Sequence, residues 1–153
     1  GLRTGLLLTD EDLSPQSWPS GTQGVVALAG LCSVDLRSPI AAGEVARAFS
    51  LGAVDDGLTR AGAMLNLTPQ RLDDEDWVRS LVDWAKAEGL QQIVTAYAPQ
   101  GPVSERLAAA FRKLEPMGVH LAVVQRPWDE TAWPHATKGF FQFRDVIPKL
   151  VRL

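Results

Sequence analysis

The sequence predicts an α/β domain built on a doubly wound parallel sheet of five strands in the order 3-2-1-4-5, with helices on both faces and right-handed crossovers. Three observations carry this. Leu90 to Ala98 is an apolar, β-branched run closing in a turn with Pro99, Gly101 and Pro102, after which Val103, Leu107, Ala110, Phe111 and Leu114 recur at the spacing of one helical face. Gly24 to Leu31 and Gly118 to Val124 are continuous apolar runs, the pattern of strands buried on both sides and hence of parallel sheets covered by helices. In such sheets ligands bind beyond the carboxyl ends of the strands, where the strand order reverses. The predicted site therefore lies near Tyr97 to Gly101, where the tips of the first and fourth strands share a groove.

Each element follows from its residues. Gly5 to Thr9 is a short strand ended by the acidic turn Asp10 to Pro15, and the Ser-, Pro- and Gly-rich stretch up to Gly24 is loop. Val25 to Leu31 is the second strand, running out at Cys32-Ser33-Val34-Asp35. Beyond the break at Arg37-Ser38-Pro39, Val45, Ala48, Phe49, Leu51 and Leu58 mark a helix over 44–61, with Gly52 and Gly57 as weak points. Ala63 to Leu67 supplies a short third strand. Asp73 to Asp76 open a helix running to Glu88, because acids in a first turn complement the helix dipole, and Trp77, Leu81, Val82, Trp84 and Ala85 form its buried stripe. Gly89 ends it, and Gly118 ends the helix after the fourth strand. Val119 to Val124 is the fifth strand. Gln125 to Leu153 begins as a Trp- and Pro-rich loop and finishes as an aromatic helix broken at Pro148.

Composition limits the functions open to the chain. Its 153 residues suit one domain spanning the whole length, and an apolar fraction of 46% supports a sizeable core. A net charge of −3 argues against a dedicated nucleic-acid surface, so no direct nucleic-acid contact is expected. No run approaches the roughly 18 apolar residues of a membrane span. The single cysteine, Cys32, forms no internal disulfide and fits a reducing cytoplasm. Gly1-Leu2-Arg3 leads almost directly into the first strand without a signal-peptide pattern, a start that predicts a piece of a longer protein.

The chemical motifs are few. There is no P-loop and no Gly-x-Gly-x-x-Gly after a strand. His120 and His135 stand alone, and Cys32 lacks an activating base in sequence, which points to a small buried side chain. Ser104 and Glu105 read as helix capping. Asp10, Glu11 and Asp12, at the end of strand one, have the charge to hold Mg²⁺, although solvated turn acids are commoner. Trp77 and Trp84 share a helical face and belong to the core. Trp128 and Trp133, in a loop, fit ordinary packing or contact with a partner equally well.

Over nearly its whole length the chain resembles the N-terminal α/β domain of the DNA photolyase and cryptochrome family. That domain opens with a strand and an Arg-Asp-Leu-Arg motif, to which Leu6 to Ser14 correspond through the apolar lead and Asp12-Leu13. Val25 to Asp35 is similar to its second strand, Arg47 to Leu58 to its Arg-x-Phe-Leu helix, Trp77 to Val124 to the helix, strand, Tyr loop, helix and strand that follow. Trp133 to Phe143 is similar to its closing Gly-aromatic-x-x-Phe element. The arginines of the first motif are replaced here by Asp10, Glu11 and Ser14.

The resemblance implies either a holder for an antenna chromophore (a folate, deazaflavin or flavin) or a structural partner of a helical FAD-binding domain, in light-driven DNA repair or light sensing. FAD and the lyase chemistry belong to that separate domain, so no catalytic residue is expected here. The positions it implies for a chromophore are Asp12, Leu13, Cys32, Ser33, Arg47, Tyr97 and Gly101. Two rivals remain: a stand-alone nucleotide- or metal-binding module using Asp10, Glu11 and Asp12, and an interaction module docking through Trp128, Trp133 and Phe140.

Overall fold

The computed structural model describes residues 1–18 and 24–151, and within them five strands form one parallel sheet in the order β3-β2-β1-β4-β5. The strands are β1 (Thr4–Thr9), β2 (Val25–Leu31), β3 (Pro69–Arg71), β4 (Gln92–Ala96) and β5 (His120–Val124). The helices are α1 (Glu44–Leu65), α2 (Trp77–Ala87) and α3 (Pro102–Leu114), then three short ones, α4 (Pro127–Ala132), α5 (Phe140–Arg144) and α6 (Ile147–Leu150). The predicted doubly wound order is the observed one. In register, Leu7 of β1 lies beside Ala29 of β2 and Thr95 of β4. Among the described residues no helix is long and apolar enough to cross a membrane.

Alternation along the strands divides the core into two layers. Leu7, Ala29, Leu31 and Ile93 meet Trp77, Leu81, Trp84 and Ala85 of α2 and Val103, Leu107, Ala110 and Leu114 of α3. On the other face Leu6, Leu8, Leu28, Val94 and Ala96 meet Val54, Leu58 and Ala61 of α1, with Trp18 of the β1–β2 connection beside them. Cys32 is buried in this second layer.

Several sequence expectations are corrected. The third strand is not Ala63 to Leu67: α1 continues to Leu65 and stops at Asn66, whose φ of 54° is left-handed. Leu67 N–H then donates to the Gly62 carbonyl, and the chain folds back so tightly that a Cβ on Gly62 would stand 2.8 Å from the Leu67 oxygen. Pairing with β2 is thereby delayed to Pro69–Arg71. Gly52 and Gly57 do not interrupt α1. Asp73 to Asp76 precede α2 rather than filling its first turn, and Asp76 caps it by accepting from Arg79 N–H at 3.0 Å. The stretch after β5 is partly helical, and the break in the closing segment falls at Asp145-Val146, with Pro148 inside the first turn of α6, where a missing N–H is harmless. The described part of the β1–β2 connection contains one 3-10 turn, Pro15–Ser17. The rest of its predicted loop, 19–23, and the chain end, 152–153, lie outside the described residues.

Candidate functional site

Parallel pairing of β1 with both β2 and β4 places the reversal of strand order at β1, so the carboxyl ends of β1 and β4 adjoin. The chain leaves β1 in a tight turn in which Asp12 N–H donates to the Thr9 carbonyl at 2.9 Å. The Asp12 carboxylate turns back to accept from Ser14 N–H at 3.1 Å, the local bonding that suits Asp to such a turn. Tyr97, one residue past β4, donates its N–H to the Val124 carbonyl at 2.8 Å, which extends the pairing of β4 with β5 by one bond.

Between these tips lies a cleft of about 110 Å³ lined by Glu11, Asp12, Trp18, Tyr97, Arg126 and Trp133 among others. Its main tenant is Arg126. The guanidinium grips Asp12 with two contacts, 2.6 and 2.7 Å, and its Nε donates to Ser17 Oγ at 2.7 Å. Trp18 Nε1 adds a long bond to the same carboxylate at 3.4 Å. The Asp12 bonds raise the Arg126 pKa above its ordinary value, so the cation is held at every physiological pH. Trp133 packs edge-on to Tyr97 with ring centroids 5.0 Å apart. The residues after β5 thus fold over the tips of β1 and β4 and occupy the groove themselves.

A second polar cluster sits beside it at the end of β2. Asp10, whose side chain is only 4% exposed, accepts from Ser33 N–H at 2.7 Å, Ser33 Oγ at 3.1 Å and Arg37 Nη2 at 2.7 Å. Cys32 N–H donates to Asp74 at 2.6 Å, and Asp74 also receives Arg71 at 2.7 Å. Burial pushes the Cys32 thiol up, with Asp10 and Asp74 adding to the shift while a hydrogen bond from the Val34 backbone and the charge of Arg71 oppose it, so the group stays a neutral thiol.

Of the positions implied for a chromophore, Asp12 and Tyr97 line one cleft. Leu13 packs on α1, where a Cβ on Gly57 would come within 3.0 Å of it. Ser33 and Cys32 hold the β2 end through the bonds described above. Arg47 is exposed and pairs with Asp35 at 3.3 Å, and Gly101 N-caps α3, donating its N–H to Ser104 Oγ at 3.0 Å. The capping expected of Ser104 is therefore present. Missed from sequence were Arg126, Trp18 and the bonds by which Asp74 accepts from Cys32 N–H and Arg71. Arg126 had a signal: it stands two residues beyond a strand's carboxyl end, where the site rule points. Trp18 had none, being separated from the strands by loop.

Of the acidic residues offered for Mg²⁺, Asp10 and Asp12 already carry arginine partners. Among the described residues no group of three or more His, Cys, Asp or Glu side chains is arranged to hold a metal ion. No family model matches the chain, and neither a curated protein nor a solved structure does.

Proposed function

We propose that this chain is a photolyase-type α/β domain whose role is to pack against a helical FAD-binding domain, in the same or another polypeptide, rather than to hold an antenna chromophore. The observation that carries the choice is the filled groove. A folate or flavin needs a cavity on the order of 300 Å³ or more, and the cleft between β1 and β4 offers about 110 Å³ with Arg126 clamped across it. The docking half of the reading is supported by the segment after β5. Trp128, Phe140 and Phe141 are 52%, 64% and 71% exposed on short helices that, with α6, add only Ala132 and Leu150 to the buried set, and Val151 just past α6 is 67% exposed. Aromatics so exposed are the composition of an interface core, and Trp128 and Val151 line a hollow together with Pro127, Thr131 and Leu150. The same segment, Trp133 to Phe143, is the part whose resemblance lies next to the flavin domain.

Two measurements test this. Titration of the chain with a folate, a deazaflavin and a flavin should give no saturable binding in the micromolar range; tight binding of any of them restores the antenna role. Addition of a photolyase-type helical FAD domain should raise the melting temperature through linkage, and a Trp128→Ser, Phe140→Ser double variant should lose that shift. No shift at saturating partner would remove the docking role.

A further inference from the structure

The first two turns of α1 carry a surface that neither the core nor the groove uses. Val54, Leu58 and Ala61 face the sheet. Val45, Ala48, Phe49 and Gly52 recur at i, i+3, i+4 and i+7 on a second stripe, which at about 100° per residue lies roughly 150° around the axis from the first. All four are exposed, Val45 and Phe49 at 85% and 77%, and Ile40, 79% exposed, stands just before the helix. A helix with apolar residues on two opposite faces is built to be covered on both.

The order of side chains along the stripe identifies what covers it. Read forwards it runs bulky, small, bulky, small: Val45, Ala48, Phe49, Gly52. Read backwards it runs small, bulky, small, bulky. An antiparallel helix of the same sequence, related by a two-fold axis between positions 48 and 49, sets Phe49 against Ala48 of the second copy and Val45 against its Gly52. Gly52 has open space around it, with nothing within 4 Å of where a Cβ would be, so a neighbouring valine can enter there. Of the charges on α1, Arg47 pairs with Asp35 at 3.3 Å, Asp56 with Arg60 at 2.8 Å and Asp55 with Arg71 at 2.9 Å, so these need no foreign partner. We infer that this chain self-associates as a symmetric dimer through antiparallel packing of α1, an isologous contact in which each large residue fills the gap left by a small one. This stands apart from the proposed flavin-domain contact, which uses the chain after β5.

Two helical turns on each side bury less than the roughly 1,200 Å² of a stable interface, so the dimer is weak, with a dissociation constant of about 10 to 500 μM. Sedimentation velocity of the full chain across that range should show the mass rising from one chain towards two. Phe49→Asp should hold it at one chain throughout. Gly52→Leu should do the same by filling the gap, while raising the monomer's melting temperature because it replaces glycine within a helix; the variant is therefore folded when it fails to pair. A wild-type chain that stays monomeric to 500 μM overturns the inference, as does a dimer that survives both substitutions. A monomeric chain whose binding to a helical FAD domain is lost in Phe49→Asp would also overturn it and give the stripe to that domain.

Discussion

The two faces of the sheet are made differently. On one, α2 and α3 each present a single apolar stripe, and Trp77, Leu81, Trp84, Val103, Leu107, Ala110 and Leu114 are all within 5% of full burial. Their remaining positions are largely charged, as with Arg79, Asp83 and Lys86 on α2. On the other face α1 packs together with Trp18 and Leu13 from the β1–β2 connection, and its own apolar residues are split between the sheet and solvent. The first face is spent on stability. The second contributes to stability and also holds surface in reserve for contact with other molecules.

The difference is largest when one aromatic from each face is removed. Trp84→Ala opens a cavity under α2 and should cost about 3–5 kcal/mol in denaturant unfolding. Phe49→Ser in dilute solution, where no second copy covers it, should stay within about 0.5 kcal/mol of wild type. Comparable losses at the two positions would mean that the outer stripe of α1 is part of the fold, and the contrast would fail.

Glycines sharpen the same contrast at a smaller scale. A Cβ on Gly5 would lie 2.5 Å from both Trp84 Cη2 and Leu90 Cδ1, in a layer with no slack, so Gly5→Ala should destabilise by about 1–3 kcal/mol through overpacking. On the α1 face, Gly57→Ala meets Leu13 atoms at 3.0 Å. One of the nearest atoms is Leu13 Cβ, so the Leu13 backbone must give by a few tenths of an ångström, and that cost offsets the roughly 1 kcal/mol that alanine gains in helix propensity, for a net change near zero. Thermal melts of the two variants side by side check the pair.

Next in size is the clasp over the groove. Arg126→Ala removes a bidentate ion pair from Asp12, whose side chain is 10% exposed, and the bond to Ser17. Charge-assisted bonds to a largely buried carboxylate suggest a loss of about 1–3 kcal/mol. The loss should be local: hydrogen exchange should rise over residues 127–135 while β1 and β4 keep their protection. Exchange that rises evenly through the sheet would mean that Arg126 supports the core rather than closing the groove.

What the sequence revealed follows the same division. Strands buried on both faces and single-stripe helices announce themselves through apolar runs and periodicity, so β1, β2, β4 and α3 were readable to within about two residues; α2 begins later than its acidic stretch suggested, at Trp77, and β5, expected to be buried on both faces, is partly exposed, with Val123 at 50%. The third strand was not, because Pro69-Gln70-Arg71 has no apolar pattern at all and pairs only because the chain turns back at Asn66. The groove was readable as a place, since strand order fixes which tips meet, but not as a state. That Arg126 would fill it depends on how the chain returns after β5, a tertiary outcome with no local code. On α1 the mixture of two stripes hid its direction, and the exposure of Val45 and Phe49 could be seen only once the helix was laid against the sheet.

The smallest effect concerns Glu11, at the rim of the groove. Partial burial raises its pKa from the ordinary 4.5, Arg37 opposes that and Asp10 adds to it. Arg37 is already engaged by Asp10 at 2.7 Å, which limits how far it can also stabilise the Glu11 charge. A carboxyl with a raised folded-state pKa binds its proton more tightly in the folded chain than in the unfolded one. Its contribution therefore favours folding at low pH and is lost as pH rises from the ordinary value through the raised one. Glu11→Gln keeps the shape and removes the charge. It should melt slightly above wild type at pH 7 and together with wild type near pH 4, where the native carboxyl is itself neutral. Equal melting at both pH values would show that the rim is as well hydrated as open surface; a variant less stable at pH 7 would show that the Glu11 charge is in use, pointing to Arg37 rather than burial as the force that governs this side of the cleft.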